Sequence, residues 1–237
     1  MKENELKFDR SCHILYSKKC RKVILKSIAE HYPEEKKDAV FEAVQLKYCD
    51  YLKNLRKDLG GRKNFHNSVA GTYDCIALFA YYTVCRDRTS FKEIEDMNCE
   101  LFLPAFRMLS FADCNKPIVK RLMYRAFVSS KKKCDRWGDY KMTVYPYAEG
   151  EPIRYDFTAC PVAEFARENG LLDILPALCN ADYRAMELIH ARLIRKNTCG
   201  NGTVCDFAIC GDKDEYAKSR EEYVDSEGYR RNRETIQ

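Results

Sequence analysis

Six residues of the C-terminal third have side chains suited to chemistry: Cys160, Cys179, Asp182, Thr198, Cys205 and Asp206. Thiols beside fixed carboxylates are what a small hydrolytic or ligand-binding site needs. Cys160 ends an alternating segment, Ile153-Arg-Tyr-Asp-Phe-Thr-Ala-Cys160, and is followed by Pro161. That places its sulfur at a strand-to-helix junction, where the positive end of a helix can stabilise a thiolate. The competing reading is a buried cysteine sealing the strand end. Cys179 and Asp182 are three apart and become neighbours if the segment is helical. Such a carboxylate could orient a substrate or act as a general base, or it could be only a helix cap beside a core cysteine. In the last alternating segment Cys205, Phe207 and Ile209 share a face, opposite Val204, Asp206, Ala208 and Cys210. Cys205 with Phe207 therefore reads as core, and Asp206 as either a pocket residue or a loop cap. His190 stands alone in this third, so a Cys/His nucleophilic pair lacks a convincing partner.

A zinc site built from Cys160, Cys179 and Cys205 has no support in spacing. The chain has 13 cysteines, and none form a C-x-x-C pair. Their odd number and scatter from Cys12 to Cys210 suit free thiols in a reducing compartment. Cys49, Cys75, Cys85, Cys99 and Cys114 fall inside helical patterns as small hydrophobes. No metal and no cofactor is expected.

The elements that must hold these residues fall into three regions of the 237-residue chain, expected to form one compact unit. Residues 1–136 read as helices: Ser11 to His31, a helix starting at Pro33 and ending at Gly60-Gly61, and Asn64 to Cys85. A fourth begins at the capping box Ser90-Phe-Lys-Glu93 and is ended or kinked by Pro104, and a fifth runs from Lys116-Pro117 to Ser130. Ile118, Leu122, Ala126 and Phe127 form the apolar stripe of the fifth. Residues 137–210 alternate. The segments 140–147 and 153–160 form an antiparallel hairpin across Ala148-Glu-Gly-Glu-Pro152. Two helices follow, Pro161–Asn169 closed by Gly170 and Leu171–His190. A second hairpin pairs Arg192–Asn197 with Thr203–Cys210 around Gly200-Asn-Gly202. From Gly211 to the end the chain is charge-rich with acid and base nearly balanced, which reads as a surface extension. The order predicts an α+β fold, a helical N-terminal half followed by an antiparallel sheet with helices packed on it.

Composition narrows the function. Net charge is +5, too small for a nucleic-acid surface without a recognisable module, and Lys18-Lys19-Cys20-Arg21-Lys22 and Lys131-Lys132-Lys133 read as solvated helix faces. No apolar run is long enough to span a membrane, and the charged N-terminus carries no signal peptide, so a cytoplasmic location is expected.

Taken in order, Cys160-Pro161, Pro176-Ala-Leu-Cys179-Asn-Ala-Asp182, Arg195-Lys-Asn-Thr198 and Gly202-Thr-Val-Cys205-Asp206-Phe207 resemble the L-2-amino-thiazoline-4-carboxylic acid hydrolase family. The resemblance covers about residues 140–210, and Gly60-Gly61-Arg-Lys-Asn64 with the helix after it resembles the family's N-terminal half. It implies a hydrolase that opens a carbon–nitrogen bond in a cyclic amidine-like, amino-acid-derived molecule. Under it Cys160 is the nucleophile or the group that holds the water, Asp182 the acid/base, and Arg195 the anchor for a substrate carboxylate. Cys179, Thr198 and Asp206 line the pocket. A small-molecule-binding or sensor domain without catalysis is the alternative. The partner expected is a small-molecule substrate, with no nucleic acid and no membrane; a homo-oligomer is left open.

Overall fold

The computed structural model describes residues 15–55, 71–137 and 140–235. The chain divides into two compact units, 1–101 and 102–237. The expected α+β class is found: helices first, then an antiparallel sheet with helices.

In the first unit, α1 (Lys18–His31), α2 (Glu34–Lys53) and α3 (Thr72–Cys85) pack around Ile24, Ile28, Tyr48, Leu52 and Ile76. Helix α1 starts later than expected. Ser17 accepts the Cys20 N–H at 3.0 Å, and Asp74 accepts the Ser17 N–H and hydroxyl. Pro33 sits one place before α2 rather than inside it. The expected stop at Gly60-Gly61 and the start at Asn64 lie outside the described residues. Cys49 is disulfide-bonded and so is not the simple small hydrophobe expected; the other described cysteines form no disulfide.

Helix α4 (Phe91–Arg107) starts at the expected cap, with Ser90 Oγ accepting the Glu93 N–H. The Glu93 carboxylate bonds His31, Ser27 and Tyr81. Pro104 lies inside the helix, which continues to Arg107 rather than ending there. The second unit's long helix, α5 (Pro117–Trp137), exceeds the expected end at Ser130. Its stripe is also rotated from expectation: Ile118 and Leu122 are exposed, while Lys120 is buried and Phe127 meets Tyr155 at 4.4 Å.

The sheet has strands β1 (Lys141–Val144), β2 (Ile153–Ala159), β3 (Ala191–Ile194) and β4 (Cys205–Gly211) in the order β1-β2-β4-β3, all antiparallel. Both expected hairpins are antiparallel pairs. In the second, β3 ends at Ile194 rather than Asn197 and β4 starts at Cys205 rather than Thr203, so the link spans 195–204 instead of the five residues expected. One face of β2 and β4 is aromatic: Tyr155 stacks on Phe207 at 4.7 Å, and Phe157 meets Phe207 edge-on at 5.8 Å. Register explains this, since Tyr155 is opposite Phe207 and Phe157 opposite Cys205. The other face of β4, Ala208 and Cys210, packs with Ile194 and Ala217.

Helix α6 (Pro161–Glu168) follows β2, and Gly170 adopts the left-handed backbone that ends it, as expected. The single helix expected over Leu171–His190 is instead two, α7 (Leu175–Cys179) and α8 (Ala181–Glu187), broken at Asn180. Asn180 keeps helical backbone angles, and its buried side chain bonds elsewhere: its Nδ2 donates to Gly228 O and its Oδ1 accepts the Arg230 N–H, both at 2.9 Å.

Those partners belong to the segment expected to be a surface extension. It is folded: α9 (Glu215–Lys218) leads into a hairpin of β5 (Arg220–Val224) and β6 (Arg230–Glu234). Its charges are complementary across the strands, with Arg220 opposite Glu234 and Glu221 opposite Arg233. The near-balance of charge is thus a pairing pattern, and the inward residues Tyr229 and Asn232 are buried. Asn232 Oδ1 accepts the Arg195 N–H at 3.0 Å and the Tyr183 hydroxyl at 2.9 Å, and its own N–H donates to Arg195 O at 2.9 Å. Replacing Asn232 by Ala strands two buried donors, at roughly 1–3 kcal/mol each. The expected result in urea denaturation is a clearly lowered midpoint; an unchanged midpoint would return the tail to the status of an ornament.

Candidate active site

The site is assembled where β2 ends, α7 meets α8, and the 195–204 loop crosses. Arg195 follows β3 directly, and its backbone is fixed on both sides by Asn232. Its guanidinium is only 1% exposed. It lies 5.1 Å over the Tyr183 ring and 5.5 Å over the Phe207 ring, so two aromatic faces replace part of its lost hydration. Nη1 reaches Asp182 Oδ2 and Nη2 reaches Cys179 O, both at the long distance of 3.4 Å, and Nε has no hydrogen-bond partner among the described residues. A buried cation this loosely held has donor capacity to spare.

Asp182, in the first turn of α8, is its charged partner. Its side chain keeps 37% of its surface accessible, while the protein around it is dense enough to desolvate the carboxyl. Desolvation pushes its carboxyl up to about 6, and the Arg195 charge opposes that rise without cancelling it. Cys160 and Cys179 share this enclosed but partly accessible setting. The expected neighbours Cys179 and Asp182 do converge. They do so across the Asn180 break rather than along one helix.

Cys160 precedes α6, as its sequence context predicts, and the Val162 and Ala163 N–H groups approach its sulfur. The expected activated thiolate is not found. Burial dominates and pushes the thiol up to about 12, the nearby Cys205 sulfur adds to this, and the two N–H groups only partly offset it. Cys179 is likewise raised by burial. Cys205 is not simply core: its sulfur accepts the Cys199 N–H at 3.0 Å and stands beside Cys160. Sequence reasoning missed Cys199, whose thiol donates to Phe157 O at 3.3 Å.

Asp206 and Thr198 shape the loop through hydrogen bonds to its own residues. Asp206 Oδ1 accepts the N–H groups of Lys196 at 2.9 Å and Asn197 at 2.6 Å, and Oδ2 accepts the Asn197 amide at 3.0 Å. That is the loop-cap reading. Thr198 is fully buried and donates to Asn201 Oδ1. The loop is held from outside by Arg167, whose Nη2 donates to Cys199 O at 2.6 Å. Gly200 is required here by close approach: a Cβ would fall 1.9 Å from the Tyr229 hydroxyl. His190 is exposed beside Asp212, on a left-handed backbone, and takes no part in the site. Among the described residues no group of three or more His, Cys, Asp or Glu is arranged to hold a metal ion.

The family model for L-2-amino-thiazoline-4-carboxylic acid hydrolase matches residues 75–209, more than half of the chain. The chain belongs to this family. No curated protein and no solved structure matches it. Family membership supports a hydrolase-type function, and every residue assembled around Arg195 so far lies within the matched stretch except Tyr229 and Asn232. The tail beyond the family match therefore completes the setting of Arg195. Neither Tyr229 nor Asn232 was visible as such. The one available signal was an uncharged Asn within Arg-Arg-Asn-Arg-Glu. No helix of the described residues is long and apolar enough to cross a membrane.

The raised carboxyl has a consequence for stability. The folded chain holds the Asp182 proton more tightly than the unfolded chain, whose Asp titrates near about 3.9. This group's contribution is full below that value and is lost as pH rises through about 6. In urea denaturation across that window, the Asp182→Asn variant is expected to lose part of the decline seen in the parent. A difference between the two that stays constant with pH contradicts the assignment.

Proposed function

We propose that the chain hydrolyses a carbon–nitrogen bond in a small cyclic amidine derived from an amino acid, L-2-amino-thiazoline-4-carboxylate being the type. The observation that carries this reading is the enclosed Asp182–Arg195 pair, loose at 3.4 Å, with Arg195 Nε unsatisfied. Such a ring presents one carboxylate and one amidine that becomes cationic on protonation. Arg195 offers a buried, always-charged fork for the first, and Asp182 a carboxylate for the second. Binding both ends exchanges one long ion pair for two complementary ones.

Asp182, poised near neutrality, takes a proton from water as the oxygen attacks the amidine carbon, and returns it to the ring nitrogen as the C–N bond breaks. A pKa of about 6 makes the carboxylate the dominant resting form at pH 7 and still leaves a competent acid once protonated. Cys160, held as a neutral thiol, is suited to hold the attacking water rather than to attack itself. The expected pH profile of kcat/KM rises through about 6 and then levels, since the free enzyme must be deprotonated at Asp182. The Asp182→Asn variant is expected to lose turnover by about 10²-fold or more, the usual range for a general acid–base group, with its fold intact by circular dichroism. Arg195→Lys keeps charge but loses the fork and should raise KM for carboxylate substrates. A folded Asp182→Asn variant with full turnover would sink the mechanism. Binding of the ring by the parent with no product on long incubation would instead identify a sensor.

A further inference from the structure

Cys199 and Cys205 enter no step of the mechanism above, yet they are in direct contact. The Cys199 N–H donates to Cys205 Sγ at 3.0 Å, and the Cys199 thiol lies close by, donating to Phe157 O at 3.3 Å, the residue opposite Cys205 across the sheet. They flank the end of the 195–204 loop: Cys205 opens β4, and the Cys199 carbonyl is clamped by Arg167. Neither sulfur can drift from the other without breaking these bonds. The loop closed between them is short, so joining them removes little chain freedom and needs little movement.

We propose that Cys199 and Cys205 are a redox-active dithiol that hydrogen peroxide converts to an intramolecular disulfide. The Cys199 thiolate attacks one peroxide oxygen, the O–O bond breaks, and hydroxide leaves with a proton as water. The Cys205 sulfur then attacks the Cys199 sulfenic acid, forming the S–S bond and expelling a second water. Peroxide is reduced and the two thiols are oxidised, so atoms and electrons balance. Cys199 is taken as the attacking sulfur, because Cys205 beside it favours its thiolate, and the balance is the same if Cys205 attacks and Cys199 resolves. Cys160 and Cys179, pushed the other way by burial, lack that support. Cys199 and Cys205 each keep a small accessible surface, 7% and 8%, enough for a molecule the size of peroxide to be met there.

The test does not depend on the substrate or on catalysis. The full-length native protein is treated with graded hydrogen peroxide, quenched with N-ethylmaleimide and digested with trypsin, which releases residues 197–213 with Cys199, Cys205 and Cys210 together. At peroxide levels that leave Cys114 and Cys210 labelled, mass spectrometry is expected to show loss of label from Cys199 and Cys205 alone and an internal disulfide. Dithiothreitol should restore both labels. Cys199→Ser and Cys205→Ser should each abolish the disulfide and leave the surviving thiol as a sulfenic acid or still free. Persistent labelling of both residues in the parent would overturn the proposal. So would a disulfide drawn to Cys160, Cys179 or Cys210, or a sulfinic acid with no disulfide stage.

Discussion

The buried guanidinium of Arg195 is the constraint around which the second unit is organised. A charge taken out of water carries a penalty of several kcal/mol that only close partners recover. Here recovery is spread over a carboxylate, a backbone carbonyl and two aromatic faces. None of the polar contacts is tight. The strand register that sets Phe207 opposite Tyr155 builds one aromatic face, and the Asn180 break that turns α7 into α8 delivers Asp182, Cys179 and Tyr183. Asn232 locks the backbone from which the guanidinium extends. Removing any of these leaves a buried cation with fewer partners, so the site and the stability of the unit are the same problem.

The same low-dielectric setting decides the chemistry. It raises Asp182 to where it can exchange a proton near neutral pH, and it silences Cys160 and Cys179. A helix N-terminus was expected to activate Cys160. Two N–H groups are indeed there, but desolvation outweighs them. The residue that looked most reactive in sequence is therefore a neutral thiol near Asp182, and Cys199, which no motif marked, is the one whose N–H reaches a second sulfur.

Much of the frame was legible. Alternation placed β2 and β4 and identified Phe207 as inward-facing. The Pro161 start and Gly170 stop fixed α6, and the ordered Cys, Asp, Arg and Thr motifs named the right family. What was not legible has physical causes. At the junction of α7 and α8 the buried Asn180 side chain bonds Gly228 and Arg230, residues some fifty positions away, and periodicity reads only local order. The tail was misread because high charge density resembles a solvated extension; its opposite charges face each other across β5 and β6, which only the register reveals. Ile118 and Leu122 had helical spacing but lie on the exposed side of α5, since Lys120 turns inward to Asp214.

The central claim is that Arg195 and Asp182 together read one small zwitterionic ring. A crystal structure of the Asp182→Asn variant with L-2-amino-thiazoline-4-carboxylate tests it most directly. The account predicts the ligand carboxylate on the Arg195 guanidinium with Nε engaged, and the amidine facing the side chain at position 182. A ligand bound elsewhere, or one whose carboxylate leaves Arg195 Nε without a partner, contradicts it.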